Sequence, residues 1–283
     1  MRQQLQILVV LCACAQQACS IIEPISDANV KGSTNFNGDF TGRFPSDLKY
    51  AKDSVTSIDL RKMPPGHGVY GSLPTQLGRF RVLTSVRVQQ NDVAGTLPTQ
   101  IGALAVPLTE RLEVWGNAEM GGPVPTQLGS LRGLTGSLVL DGPRGWQGQL
   151  PSEIGQLSLL EDRLVLTNPR GGGNRNGNGN DDEDEDEDEE GTGAGLNGPL
   201  PTQVGSLTKL RELNLEGHDV TGPLPTEIGM LSDLRRGLVL RGNNFGGQMP
   251  TELGKLTKLQ VIIISNMSIL CAATARITGF SIG

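Results

Sequence analysis

A chain of 283 residues with 36% hydrophobic content has room for one or two ordinary domains and enough apolar side chains for a core, but only 4% are aromatic, so that core must be aliphatic. The formal charge of −6 is misleading, because ten of the 30 acidic residues form the unbroken run Asp181 to Glu190 and the other 20 face 24 basic ones, giving +4. Charge spread this evenly excludes the concentrated basic patch of a nucleic-acid surface.

In chain order, residues 1–15 come first. MRQQLQILVVLCACAQQACS places Arg2 before an apolar run from Leu5 to Ala15, with small residues at Ala13 and Ala15, which is the pattern of a secretory signal peptide. Residues 16–54 follow as an N-terminal flank. Cys12, Cys14 and Cys19 lie in or beside the leader and Cys271 lies far away, so no disulfide framework is legible. No transmembrane segment is expected, because the longest later apolar stretch, Val261 to Ala275, is interrupted by polar residues and falls short of the roughly 20 that span a bilayer.

A strand is predicted over Val55 to Leu60. From Gly71 onward the phrase Gly-x-Leu-Pro-Thr-Gln/Glu-Leu/Ile-Gly recurs, after a degenerate copy at Gly42 to Leu48. Its prolines, Pro45, Pro74, Pro98, Pro125, Pro151, Pro201, Pro225 and Pro250, are separated by 29, 24, 27, 26, 50, 24 and 25 residues. Self-similarity at this period indicates stacked coils. Between the prolines runs Leu-x-x-Leu-x-x-Leu-x-Leu-x-x-Asn, clearest at Leu207, Leu210, Leu213 and Leu215 with His218 in the Asn slot, and again at Phe80, Leu83, Val86, Val88 and Asn91. The Leu-x-Leu alternation sends two side chains inward and their neighbours outward, as a short strand requires.

These two motifs resemble the plant-type leucine-rich repeat, over roughly residues 55–266. The resemblance implies an α/β repeat solenoid: a right-handed superhelix over residues 55–270, with a concave parallel β-sheet and irregular or short helical turns on the convex side. It also implies a hydrogen-bonding ladder of Asn91, Asn117 and Asn243, with His218 and Pro143 interrupting it and Asn168 one place early. The family's paired cap cysteines are absent from residues 21–54, and residues 271–283 form a tail with no further proline motif.

The one double step, from Pro151 to Pro201, contains GGGNRNGNGNDDEDEDEDEEGTGAG at residues 171–195. Residues 168–195 hold no leucine, isoleucine, valine or aromatic side chain, so they bury nothing as a coil. They are predicted to be a disordered acidic loop inserted in one repeat, where extra length is tolerated because closure entropy grows slowly.

Catalytic and cofactor chemistry finds no foothold. The acidic run lacks the spaced ligands and turn glycine of a calcium loop, and Gly171 to Gly173 are followed by no Gly-Lys-Ser/Thr. His67 and His218, the only histidines, fall in unrelated places, so no metal site is expected. No nucleophile-and-base pairing is legible, and the expectation is a protein that is not an enzyme and needs no cofactor.

Binding remains, and the alternation says where. The outward residues beside each Leu-x-Leu are Asp59 and Arg61, Arg87 and Gln89, Glu113 and Trp115, Val139 and Asp141, Val165 and Thr167, Asn214 and Glu216, and Val239 and Arg241. Trp115 is the candidate hot spot, a large amphipathic ring on a concave sheet, although covering a neighbouring side chain is an equal alternative. Members of the resembling family act as receptor ectodomains, co-receptors and secreted inhibitors, which implies a protein, peptide or glycan ligand and a membrane-bound co-receptor as a candidate partner. The leader implies a secreted or cell-surface protein, with Asn266 in Asn266-Met-Ser268 as a glycosylation candidate. The rival reading is a cytoplasmic scaffold whose acidic loop attracts basic partners.

Overall fold

A computed structural model describes residues 42–43, 56–61, 69–117, 119–142, 145–168 and 195–264. The predicted signal peptide, nearly all of the expected N-terminal flank, the acidic run, Asn266 and the C-terminal tail lie outside the described residues.

The Pro-Thr phrase builds the convex turn for local reasons. Proline fixes φ and has no N–H to leave unsatisfied, which suits the position just before a helical turn. The N–H three residues on closes back to the proline carbonyl, as from Leu128 to Pro125 at 3.0 Å and Ile154 to Pro151 at 3.1 Å. One 3₁₀ turn results in each repeat: Thr75–Arg79, Thr99–Ala105, Thr126–Ser130, Ser152–Gln156, Thr202–Ser206, Thr226–Met230 and Thr251–Lys255. Its aliphatic residue is buried, and the glycine after it lies against the next coil. A Cβ at Gly129 would sit 2.4 Å from the Glu153 carbonyl oxygen, and one at Gly78 would sit 2.3 Å from that of Gln100.

The chain then enters a concave sheet of eight strands: Ser57–Arg61, Ser85–Gln89, Arg111–Trp115, Ser137–Asp141, Arg163–Thr167, Glu212–Asn214, Gly237–Val239 and Ile262–Ile263. They follow chain order and every neighbouring pair is parallel. Inward residues such as Leu138, Leu140, Leu164 and Leu166 are fully buried, so each coil adds its leucines to one aliphatic column. The architecture is the expected right-handed leucine-rich-repeat superhelix with a concave parallel β-sheet, its convex turns 3₁₀ rather than α.

Two further ladders of short parallel strands go beyond the expected irregular return path. Gly42–Arg43, Val69–Ser72, Asp92–Gly95 and Glu119–Met120 form one, and Gly122–Pro123, Trp146–Gln149, Leu196–Pro199, Asp219–Pro223 and Asn244–Gly246 the other. Across the double step no strand intervenes: Arg163 pairs with Glu212, and Gly148 pairs with Leu196. Pro151 to Pro201 therefore spans a single coil.

The polar ladder is present and needs one correction. Asn91 Nδ2 donates to Leu60 O at 3.0 Å, and Asn117 Nδ2 donates to Val88 O at 3.0 Å and Trp115 O at 3.0 Å. Asn243 receives the Val220 N–H on its Oδ1 at 3.1 Å and donates to Leu240 O at 3.0 Å. His218 does not interrupt the series. Its imidazole, two nitrogens on opposite sides of a ring, satisfies Leu166 O and the Leu196 N–H where an amide stands in other coils.

Candidate recognition surface

The concave strands present their first, third and fifth residues outward, and these divide into two zones. Toward the N-terminus the face is closed by an ion-pair lattice. Arg87 Nη1 lies 3.4 Å from Asp59 Oδ2 and its Nε lies 3.3 Å from Glu113 Oε2; Arg163 Nη2 donates to Glu113 Oε1 at 3.4 Å, and Gln89 Nε2 to Glu113 Oε2 at 3.3 Å. Glu113 is only 3% exposed. A carboxylate so far from water needs its charge balanced, and two arginines do so, Arg87 from the adjacent strand and Arg163 from two strands along. Glu113 therefore orients Arg87 and Arg163 from beneath and has little surface to offer a ligand. Arg61 ends its strand opposite Gln89; its side chain lies outside the described residues.

The rim of the sheet carries charged residues absent from the sequence-derived set. Ser137 Oγ donates to Asp162 Oδ2 at 2.9 Å, Arg236 also binds Asp162, and Glu161 lies 3.6 Å from Lys209 Nζ. Burial works to raise the Asp162 pKa, but the hydrogen bonds from Ser137 and Arg236 and the nearby arginine charges prevail and hold it below the ordinary value. Their sequence signal was the residue opening each Leu-x-Leu strand and those just before it.

Toward the C-terminus the face becomes apolar. Val139, Val165 and Val239 line the central column, with Val139 at 7% exposure and the other two half-buried. Asn214 sits among them with its Oδ1 taken by the Glu216 N–H at 3.0 Å, and Glu216 lies 3.7 Å from the exposed Arg241. Trp115 borders this strip and is half-buried. Its carbonyl accepts the Gln90 N–H at 2.8 Å and the Asn117 side chain at 3.0 Å, so the ladder fixes the strand end that carries the ring. Trp146, the second tryptophan, is wholly buried in the core.

Asp141 lies one strand beyond Trp115, opposite Thr167. Burial raises its pKa, opposed by a hydrogen bond from Thr167. Among the described residues, no group of three or more His, Cys, Asp or Glu side chains could hold a metal ion, and no helix is long and apolar enough to cross a membrane.

No protein-family model and no curated protein sequence matches the chain. Solved structures do. The ectodomain of the Arabidopsis thaliana plant membrane receptor kinase GASSHO1/SCHENGEN3, in complex with CASPARIAN STRIP INTEGRITY FACTOR 2, is 26% identical with a TM-score of 0.62 over 82% of this chain and 26% of its own. The Arabidopsis receptor kinase HAESA ectodomain, in complex with an N-terminally extended IDA peptide hormone ligand, is 25% identical with a TM-score of 0.62 over 83% of this chain and 34% of its own. The plant peptide hormone receptor RGFR1, in complex with RGF2, is 25% identical with a TM-score of 0.60 over 76% of this chain and 29% of its own. The chain thus spans about a quarter to a third of the length of these ectodomains.

Proposed function

Because this chain is a leucine-rich-repeat solenoid of the plant type, we propose that it is a non-catalytic recognition module, acting outside the cell, that binds a peptide on its concave sheet. The observation that carries this reading is the apolar run of Val139, Val165 and Val239, half-buried at the last two and broken only by Asn214, with Trp115 at its border. Parallel strands repeat about every 4.8 Å and an extended peptide advances about 3.3 Å per residue, so a peptide crossing the strands obliquely meets a new side chain at nearly every coil. A half-buried tryptophan beside apolar residues is the composition of a binding hot spot. The three solved relatives are each in complex with a ligand, which supports ligand binding as the role. A larger protein ligand would use the same strip; a glycan would rely on Trp115 and the polar residues around Asn214.

The test is selection from a displayed peptide library against the full chain, followed by Trp115→Ala and Val165→Glu. Recognition on the concave sheet predicts that both variants lose the selected binders while Glu227→Ala, on a convex turn, keeps them. Binders indifferent to both concave variants would place recognition elsewhere. Expression with mapping of the mature N-terminus and of glycan on Asn266 decides the compartment: a start near Gln16 in the medium is expected, and an intact Met1 inside the cell would favour the scaffold reading.

A further inference from the structure

Val114 pairs with Leu140 in register, so the residues that follow, Trp115 and Asp141, are neighbours on adjacent strands. Parallel strands lie about 4.8 Å apart, and the indole and the carboxylate therefore border the same gap. Asp141 differs from the other acids of this face. Asp59 and Glu113 are held by Arg87, Asp162 by Arg236, and Glu216 by Arg241. Among the described residues Asp141 makes no ion pair, and Thr167 is its hydrogen-bond donor. Its Oδ1 is shut off from solvent with no hydrogen-bond partner, while the side chain as a whole remains partly exposed. An incompletely solvated carboxylate without a cation is an unfavourable arrangement, and here it stands beside the tryptophan that borders the valine run.

We propose that Trp115 and Asp141 form a subsite for the guanidinium of an arginine side chain in the bound peptide. This rests on the concave-face reading above and names what that face selects. A guanidinium matches both walls at once: its plane stacks on an indole, and its paired N–H donors meet a carboxylate. Because the carboxylate charge is shared between its oxygens, a cation at the exposed edge balances all of it. Val139, two residues before Asp141 in the same strand, and Val165 beside it on the next strand give the methylene stem an apolar edge. The cations already on the face, Arg87 and Arg163, are committed to Glu113 and leave the Asp141 gap unfilled.

The experiment titrates the full chain with N-acetyl-arginine amide and its neutral isostere N-acetyl-citrulline amide, reading tryptophan emission. Trp146 is wholly buried, so Trp115 reports. The arginine probe is expected to bind in the millimolar range and the citrulline probe on the order of tenfold more weakly, a gap of about 1.4 kcal/mol. Asp141→Asn should remove that gap with the thermal midpoint unchanged, and Trp115→Phe, read by NMR, should weaken the arginine probe while keeping the preference. Equal response to the two probes, or a preference that survives Asp141→Asn, overturns the subsite. Selected peptides that need Trp115 but show no arginine enrichment also overturn it and leave the recognition function standing. Asp141-dependent arginine binding without any concave-face peptide ligand would sink the function and keep the subsite.

Discussion

His218 holds Leu166 across the base of the acidic insertion: its Nε2 lies 3.0 Å from the Leu166 carbonyl oxygen, while its Nδ1 accepts the Leu196 N–H at 3.1 Å. Leu166 belongs to the last strand before residues 171–194 and Leu196 opens the first strand after them. One imidazole therefore ties together the two chain ends that the insertion separates. The Leu196 donor fixes the tautomer, with the proton on Nε2. Gly195 must be glycine for the same reason, since a Cβ there would lie 2.9 Å from His218 Nδ1.

That ring is predicted to make stability fall in acid. Burial lowers the His218 pKa from 6.5 to about 4, against a smaller opposing pull from the Leu166 carbonyl. Between those values the unfolded chain binds the proton and the folded chain does not, so stability is full above about pH 6.5 and declines as pH drops toward 4. Protonation would also set a second N–H against that of Leu196. The loss is about 3 kcal/mol, from a shift of about 2.5 units at 1.36 kcal/mol each. Urea unfolding of the wild type and of His218→Asn from pH 4 to 7.5 measures it: the wild type should lose about 3 kcal/mol relative to the variant toward the acid end, and parallel curves would mean that the ring carries no such linkage.

Periodicity made the coils legible, and it failed where a residue's role depends on a neighbouring coil. The Leu-x-Leu alternation assigned the facing side of Glu113, but its cover comes from Arg87 on the adjacent strand and Arg163 two strands away. His218 read as a break because the repeat asks for Asn there, and only three dimensions show that its second nitrogen meets the strand after the insertion. The extra ladders were hidden by their own composition. Segments such as Leu196-Asn-Gly-Pro199 hold glycine with φ at 69° and proline, both of which argue against a strand in isolation. Trp146 takes the apolar slot two residues before the Gly148 turn, which Val93, Met120, Leu196, Val220 and Phe245 fill in other coils and which is buried in each, whereas Trp115 falls in an outward position of its strand.

The glycine that ends each Leu/Ile-Gly pair should tolerate no side chain until the stack ends. Gly129→Ala brings a methyl to 2.4 Å from the Glu153 carbonyl, a backbone atom that cannot swing away, whereas Gly254 has nothing within 4 Å. Gly129→Ala is expected to destabilise by about 3 kcal/mol through forced separation of coils. Gly254→Ala should be neutral or stabilising by about 0.5 kcal/mol, because it restricts the unfolded chain. Thermal melts of the two variants side by side decide it, and equal midpoints would refute the close-packing account.

Removing Glu113 should disturb the concave face more than removing Asp59, although both contact Arg87. Glu113→Ala strands two arginines that now share a buried carboxylate, an effect of about 2 kcal/mol once their own partial exposure is allowed for. Asp59→Ala breaks its 3.4 Å contact with Arg87 between partly exposed groups, and the loss of that contact should cost less than about 1 kcal/mol. Arg87→Ala combined with Glu113→Ala should recover part of the loss, since one fewer cation is left unmatched. Chemical denaturation of the wild type, Glu113→Ala, Arg87→Ala and the double variant closes the cycle, and strictly additive effects would argue against a coupled lattice.

Asn117 links the ladder to the candidate hot spot, and its loss should be felt at both. Its Nδ2 satisfies the Val88 and Trp115 carbonyls from a site with no solvent access, so Asn117→Ala leaves two buried acceptors with one hydrogen bond fewer and should cost about 2 kcal/mol. The Gln90 N–H still holds the Trp115 carbonyl at 2.8 Å, so the strand end loosens without detaching. Asn243→Ala removes an equivalent amide several coils away and should destabilise comparably. The two therefore part in how Trp115 behaves: acrylamide quenching of tryptophan emission should rise in Asn117→Ala and stay at the wild-type level in Asn243→Ala. An identical rise in both would mean that the ladder stabilises the stack as a whole and does not position that ring.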